Sequence, residues 1–490
     1  MQAFLNKLAD LVNTANSYIT DYCLLFLLIA MGLLFTIRTK FVQVRCFGEG
    51  MKKVFGNISL KGGKQKGGLS SFQALATAIA AQVGTGNIVG ACGAIIVGGP
   101  GAIFWMWIIA FLGMATIYAE AVLAQKTKKV NEDGTVEGGP VYYIRTAFKG
   151  KFGKFLAGFF AVAITLALGF MGAMVQSNSI ASTTGNALGM NADFYWIIGL
   201  VVAALAAVVF IGGVQRLASV TEKLVPVMAV LYLLGGLVVI FARIQYIPEA
   251  FGMIFKYAFN AKALVGGTFG AAIAKALTQG AKRGLFSNEA GMGSTPHAHA
   301  QANVKTPHEQ GVTAMIGVFI DTFVVLTMTA LVVISTMYAG GGALGNAANY
   351  VNGSLLDGIV SSGTLAQEAF GVVFGPAFGK IFVAVCLFFF AFSTILSWNF
   401  FGKINFQYLF GKKATLVYTV LGVVFVFLGS MFQNDLVWNL TDFFNNLMVL
   451  PNAVALIALS GMVVACTKFG KKADAPAEAA PAEQEETPAE

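Results

Sequence analysis

Residues 70–99 read SSFQALATAIAAQVGTGNIVGACGAIIVGG. The stretch carries no charged residue and is apolar or small almost throughout, long enough for the roughly twenty helical residues that cross a bilayer core. Its middle does not suit a simple membrane helix. Gly84-Thr85-Gly86-Asn87 places two glycines and two polar side chains at mid-bilayer depth. Irregular backbone inside a membrane is tolerated only where protein or a watery cavity surrounds it. Residues 266–296, GGTFGAAIAKALTQGAKRGLFSNEAGMGSTP, repeat the pattern, with Lys275, Lys282, Arg283, Asn288 and Glu289 among small residues. Glycines alone favour close helix packing through small-residue contacts. Asn87, Asn288 and Glu289 reverse that preference, because polar groups buried in lipid are costly without a task. Two glycine-interrupted segments in matching positions of two halves point to the binding site of a carrier.

Working outward, the 490 residues are 57% hydrophobic and 11% charged, with a mean hydropathy of +0.74. A soluble domain carries roughly a quarter of its residues charged, so lipid must replace water over most of the outside. Eleven apolar runs are long enough to span, near residues 18–38, 71–98, 101–125, 155–180, 194–213, 219–242, 263–302, 311–339, 378–402, 414–432 and 437–466. The basic residues fall on alternate connections. Residues 38–66 and 126–154 are rich in Lys and Arg, and Arg216 with Lys223, Lys305, Lys403 with Lys412 and Lys413, and Lys468 with Lys471 and Lys472 share that side. The opposite connection, 340–377, has none. By the positive-inside rule the N-terminus lies outside and the C-terminus in the cytoplasm.

The first broken span opens one set of five helices and the second opens the next. The expected fold is all-α and polytopic, a five-plus-five inverted repeat with one extra N-terminal helix. The expected divisions are 1–66 for the extra helix and basic loop, 67–242 and 243–467 for the two repeats, and 468–490 for a disordered acidic tail. The second division begins with an amphipathic segment, 246–259, lying along the outer interface.

Several function classes are excluded. The net charge of +9 is spread over short connections rather than gathered in a stripe with aromatics, so no nucleic-acid partner is expected. Cys23, Cys46, Cys92, Cys386 and Cys466 are scattered without a C-x-x-C, so neither a disulfide nor a metal cluster is expected. The first twenty residues lack a signal-peptide pattern. His297, His299 and His308 lack a ligand at metal spacing and read as solvated loop residues. No nucleophile and base stand at catalytic spacing, so the chain is not expected to be an enzyme. A channel would need a filter motif or pore repeat.

At these residues the sequence resembles the alanine/glycine:cation symporter family, also called sodium/alanine symporters. Residues 98–113, GGPGAIFWMWIIAFLG, copy that family's signature. GTGN at 84–87, KRGLFSNEAGMGS at 282–294 and GGP at 138–140 look like further family blocks. The resemblance runs from about residue 10 to 467 and implies the inverted repeat of the bacterial leucine transporter. It also implies a small neutral amino acid as substrate, sodium as coupling ion, no organic cofactor, and a monomer in the lipid bilayer.

A zwitterionic substrate needs its carboxylate and ammonium matched separately. Backbone N–H groups of Thr85 and Gly86 at an interrupted helix end suit the carboxylate, glycine allowing close approach. The resemblance adds Gln176, able to donate and accept, with Phe286 and Trp398 as walls that exclude larger side chains by clash. It implies a first sodium site from the carbonyls of Ala80 and Val83 with the hydroxyls of Ser393 and Thr394. Taken alone, those hydroxyls would as readily bond back to their own helix. A second sodium site would use Asn87 and the Gln82 carbonyl, with Asp321 either a further ligand or a brace for a neighbouring helix. A proton-coupled carrier of the same fold is the alternative, and Glu120, Glu289 and Asp321 are its candidate carboxylates.

Overall fold

The computed structural model of the protein describes residues 11–56, 68–259, 269–345 and 362–467, apart from 13, 17, 20–23, 133 and 433. The described residues are helical except for connections and one short antiparallel ribbon, Lys129–Val130 against Val136–Glu137. The expected acidic tail lies outside them.

Helix α1 is Leu25–Arg38, and α2, Phe47–Phe55, follows in the basic connection. The first broken span comprises α3, Ser71–Gln82, and α4, Ala91–Gly98. Ser70 caps α3 reciprocally: its hydroxyl accepts from Gln73 N and Gln73 Oε1 accepts from Ser70 N, both at 3.1 Å. Then come α5, Gly101–Thr127; α6, Pro140–Ala147; α7, Gly150–Leu188; α8, Ala192–Ile211; and α9, Gly213–Ala242. Helix α10, Ile247–Phe259, is the amphipathic segment, with Ala250, Ile254 and Ala258 buried and Phe251, Phe255 and Phe259 exposed on another face. Gly101 lets it approach α5, since a Cβ there would lie 2.3 Å from the Tyr257–Ala258 backbone.

The second broken span comprises α11, Phe269–Asn288, and α12, Pro296–Ala300. It is followed by α13, Pro307–Gly341; α14, Ser362–Phe374; α15, Pro376–Phe410; α16, Thr415–Gly429; α17, Asn434–Ala458; and α18, Ser460–Cys466. Among the described residues eight helices are long and apolar enough to cross a membrane, and the bent pair α3/α4 makes a ninth. The other two of the eleven sequence runs correspond to α1, with 14 described residues, and α11, which Lys275, Lys282 and Arg283 make too polar to qualify. Helix α14, in the 340–377 connection, has no counterpart among the sequence runs.

The packing exchanges the halves. Helix α5 lies along α13, α7 along α15 and α8 along α16, each pairing matching members of the two sets. Helix α9 packs on α3 and α15, while α17 meets α11 through Phe286–Trp438 ring contact and packs on α7. A two-fold relation between halves produces this reciprocity. The two broken spans also run in opposite senses, because the start of α3 meets the end of α12. Leu69 N donates to Gln301 O at 2.8 Å and Asn303 N to Leu69 O at 2.9 Å.

Candidate functional site

Helix α3 ends at Val83, whose ψ of 85° takes the backbone out of the helical region. The next two N–H groups therefore leave their helical partners. Gly84 N donates to Gln82 O and to Asn87 Oδ1, both at 3.0 Å, and Thr85 N donates to Gln176 Oε1 at 3.2 Å. The carbonyls of Ala80 and Ala81, which those N–H groups would have used in an unbroken helix, turn to α15. Thr394 Oγ1 lies 2.8 Å from Ala80 O and 3.4 Å from Ala81 O, and Ser393 Oγ lies 3.5 Å from Ala80 O. Both hydroxyls also reach back to Phe390 O, at 3.0 Å and 2.9 Å. Three of the four residues expected at the first sodium site thus come together. Val83 contributes the break, and no hydrogen bond of its carbonyl is described. On Ser393's other side stands Met228 Sδ at 3.5 Å, a thioether rather than a hard oxygen.

The second group gathers around Asp321, in a π-helical turn of α13, Phe319–Leu326. Asn87 Nδ2 donates to Asp321 Oδ1 at 2.6 Å, Ser287 Oγ to both carboxylate oxygens at 3.0 and 3.1 Å, and Thr322 Oγ1 to Oδ2 at 2.7 Å. Gln82 donates to Asn288 O at 2.8 Å, and its buried Oε1 has no partner. Asn87 therefore tethers the first break to α13, and Asp321 is fully buried.

At the expected substrate position, Phe286 and Trp398 meet edge to face with centroids 5.6 Å apart. Trp398 is fully packed, and its indole N–H donates to Glu289. Gln176 spends its carbonyl on Thr85 N, so that N–H is already engaged. What stays unpartnered is Gln176 Nε2 and Thr85 Oγ1, both buried. A buried amide donor and a buried hydroxyl, able to donate or accept, call for a polar ligand or water when both lack partners. Gly86 keeps the approach close, since a Cβ on it would lie 3.0 Å from Ser287 Cα and 3.2 Å from Phe286 Cδ1.

The second break is built by residues to which sequence reading gave other roles or none. Glu289 turns at φ 57°, Gly291 at 91° and Gly293 at 81°. Glu120 of α5 accepts from Gly291 N at 3.0 Å, Gly293 N at 2.9 Å and Asn452 Nδ2 at 2.7 Å. Ser294 donates to Glu289. Glu120 was legible as an ionisable residue within a span; Asn452 and Ser294 gave no such signal. In the second half of α11, Lys282 Nζ lies 2.7 Å and Arg283 Nη1 3.5 Å from Asp442 of α17, and Arg283 lies over the Trp438 ring at 4.5 Å.

The reading of His297 and His299 as solvated is corrected: both are fully buried. His297 bonds Ser294 O at 2.7 Å and Asn405 Nδ2 at 2.8 Å, and His299 bonds Gln310 at 2.8 Å. They brace α12 against α15 and α13, and Gly139 of the GGP block leaves room for the His297 ring, 2.6 Å from where its Cβ would be. At this basic end a cavity of about 790 Å³ opens between Leu69, Gln301, Tyr142, Val214, Lys403 and Gln407.

Two discontinuous helices, the first with its freed carbonyls met by hydroxyls of another helix and an orphaned amide beside it, describe a multi-pass membrane transporter rather than an enzyme. The fold is similar to that of MhsT in complex with L-phenylalanine, with a TM-score of 0.54 at 15% identity over 82% of this chain and 89% of that one. It is also similar to a manganese transporter of Eremococcus coleocola, at 0.50 and 13% over 84% and 82%. The profile of the sodium:alanine symporter family matches residues 5–482, and the chain belongs to that family. A sodium/alanine symporter of Methanococcus maripaludis is 40% identical over 94% of this chain and 96% of its own. A putative sodium/proton-dependent alanine carrier of Bacillus subtilis is 38% identical over 92% and 90%, and a probable sodium/glutamine symporter of the same organism 37% over 94% and 90%.

Proposed function

We propose that the protein takes up alanine or glycine together with sodium by alternating access, as a monomer in the bacterial inner membrane with its N-terminus outside and its C-terminus in the cytoplasm. The repeats are 67–242 and 243–467. The observation that carries the reading is the Ala80 carbonyl, released by the break at Val83 and met by Ser393 and Thr394 of α15. Oxygens gathered from two helices of opposite halves suit a small hard cation, and a cation there would tie the halves together.

The second cation position draws support from Asp321. The Asn87 side-chain amide nitrogen can only donate, so the carboxylate oxygen facing it accepts. A buried carboxylate is expensive without a compensating charge, and sodium beside Asn87 and Gln82 would supply one. Substrate would sit against Thr85 and Gly86, with Gln176 Nε2 and Thr85 Oγ1 as its polar partners and Phe286 with Trp398 as walls. Sodium entering from outside would order the first break, raising affinity for the amino acid; by reciprocity the amino acid would raise affinity for sodium. The cavity at the basic end would be the path of release.

The test is uptake of labelled alanine and glycine into proteoliposomes under inward sodium, potassium or proton gradients. Sodium-dependent uptake, lost in the Ser393→Ala/Thr394→Ala double variant, is the expected outcome. Uptake that follows the proton gradient and ignores sodium would overturn the assignment. It would favour the proton-coupled reading, which the buried carboxylates of Glu120, Glu289 and Asp321 keep specific.

A further inference from the structure

At the basic end, away from the proposed transport site, three unlike side chains converge. Cys46 precedes α2, Glu49 lies in its first turn, and His308 lies in the first turn of α13. Their sulfur, carboxylate oxygen and ring nitrogen all fall within 4.8 Å of one another. His308 Nε2 is 3.3 Å from Glu49 Oε2. With nitrogen and oxygen ligands at about 2.0–2.1 Å from zinc, the edge of a tetrahedral shell is about 3.3 Å.

Two independent features raise this above a surface ion pair. Cys46 is 8% exposed and belongs to no disulfide; it borders the apolar core, yet its sulfur lies within reach of both Glu49 and His308. Tyr118 Oη holds His308 Nδ1 at 2.7 Å, which fixes the ring and leaves Nε2 for the cluster. A partner on the far nitrogen is the usual support of a metal-binding histidine.

We propose that Cys46, Glu49 and His308 form a site for a borderline-soft divalent transition cation such as zinc, stapling α2 to the start of α13. The same two helices already meet through Lys53–Glu309 at 3.2 Å and Phe47–Phe319 at 4.9 Å, so the cation closes an existing contact. The mixed thiolate, imidazole and carboxylate set excludes sodium, magnesium and calcium, which prefer oxygen. Burial pushes the Cys46 thiol up, with Glu49 adding to the rise and Arg45 opposing it. Binding therefore displaces a proton, and affinity rises with pH.

The test uses the purified full-length protein, stripped by chelator and titrated with Co²⁺ and then Zn²⁺. Expected is one equivalent of Co²⁺ with a thiolate-to-cobalt absorption band, displaced by Zn²⁺, and a melting temperature that zinc raises. Cys46→Ser should lose the band, and His308→Ala and Glu49→Gln should each weaken binding at least about tenfold, since losing a ligand costs no less than losing its support. A wild-type cobalt complex without the thiolate band, or binding no tighter than in the Cys46→Ser/His308→Ala double variant, overturns the proposal. Melting of the chelated variants controls for folding. Should Cys46→Ser fail to fold, exposed Glu49→Gln decides, and unchanged affinity in it overturns the site equally.

Discussion

Gly84 stands where one added carbon is decisive. A Cβ there would lie 2.4 Å from Thr394 Oγ1 and 3.2 Å from Gln176 Oε1. Both neighbours are buried and hydrogen-bonded, so neither can swing aside cheaply. Gly84→Ala should therefore cut sodium-driven alanine uptake at least about tenfold, equivalent to ~1.4 kcal/mol, while leaving elution as a monodisperse species unchanged; normal uptake would show that the two halves need not approach at this point. Thr394→Val keeps the volume and removes the hydroxyl. If Thr394 Oγ1 is one of the few hard oxygens around the cation, its loss should weaken apparent sodium affinity at least about tenfold, ~1.4 kcal/mol. Uptake measured against sodium concentration checks this, and an unshifted curve would remove Thr394 from the cation shell. The hydroxyl pair was visible in the sequence, but as a motif open to local back-bonding. Only the position of Ala80 O against it separates the two readings.

Among elements, the second break is held from outside itself. Glu289, Gly291 and Gly293 turn at positive φ on alternate positions, leaving backbone N–H groups without helical partners, and Glu120, itself held by Asn452, accepts those of Gly291 and Gly293. Glu120→Gln keeps the shape but turns an amide N–H₂ toward donors. Leaving a buried donor unmatched costs about 1–3 kcal/mol, so the variant should melt lower and transport more slowly. Unchanged melting and uptake together would mean the loop is fixed by its own turns. Sequence reading marked Glu120 as a possible proton carrier because it is ionisable within a span. Its role as a clamp was not legible, since Gly291, Gly293 and Asn452 reach it only through tertiary packing. The histidines failed for the same reason: a loop-like composition at 290–303 conceals a segment packed among α5, α13 and α15.

At the scale of the molecule, the two ends differ. The end bearing Asp442 is drawn together by Lys282 and Arg283 and by the Phe286–Trp438–Arg283 stack. The basic end holds the cavity between α9 and α15. On the alternating-access reading, this arrangement would correspond to a state open at the basic end and closed at the other. If sodium favours the opposite state, it must bind that state more tightly. A thiol reagent should accordingly label Gln407→Cys several-fold more slowly in sodium than in potassium. Equal rates in both salts would detach the cavity from the transport cycle.

The sequence by itself determined that the chain lives in lipid, that two of its spans are interrupted, and which family it belongs to. Hydropathy, glycine placement and contiguous motifs such as 98–113 are local, and the bilayer leaves few folds for them. Tertiary structure decided what no local pattern carries. It set which freed carbonyl meets which hydroxyl, how Asn87, Ser287 and Thr322 converge on Asp321, and why His297 and His299 are buried. It also brought Cys46, Glu49 and His308 together across more than 250 residues. Such pairings depend on the exchange of helices between two inverted halves, where residues distant in the chain come into contact.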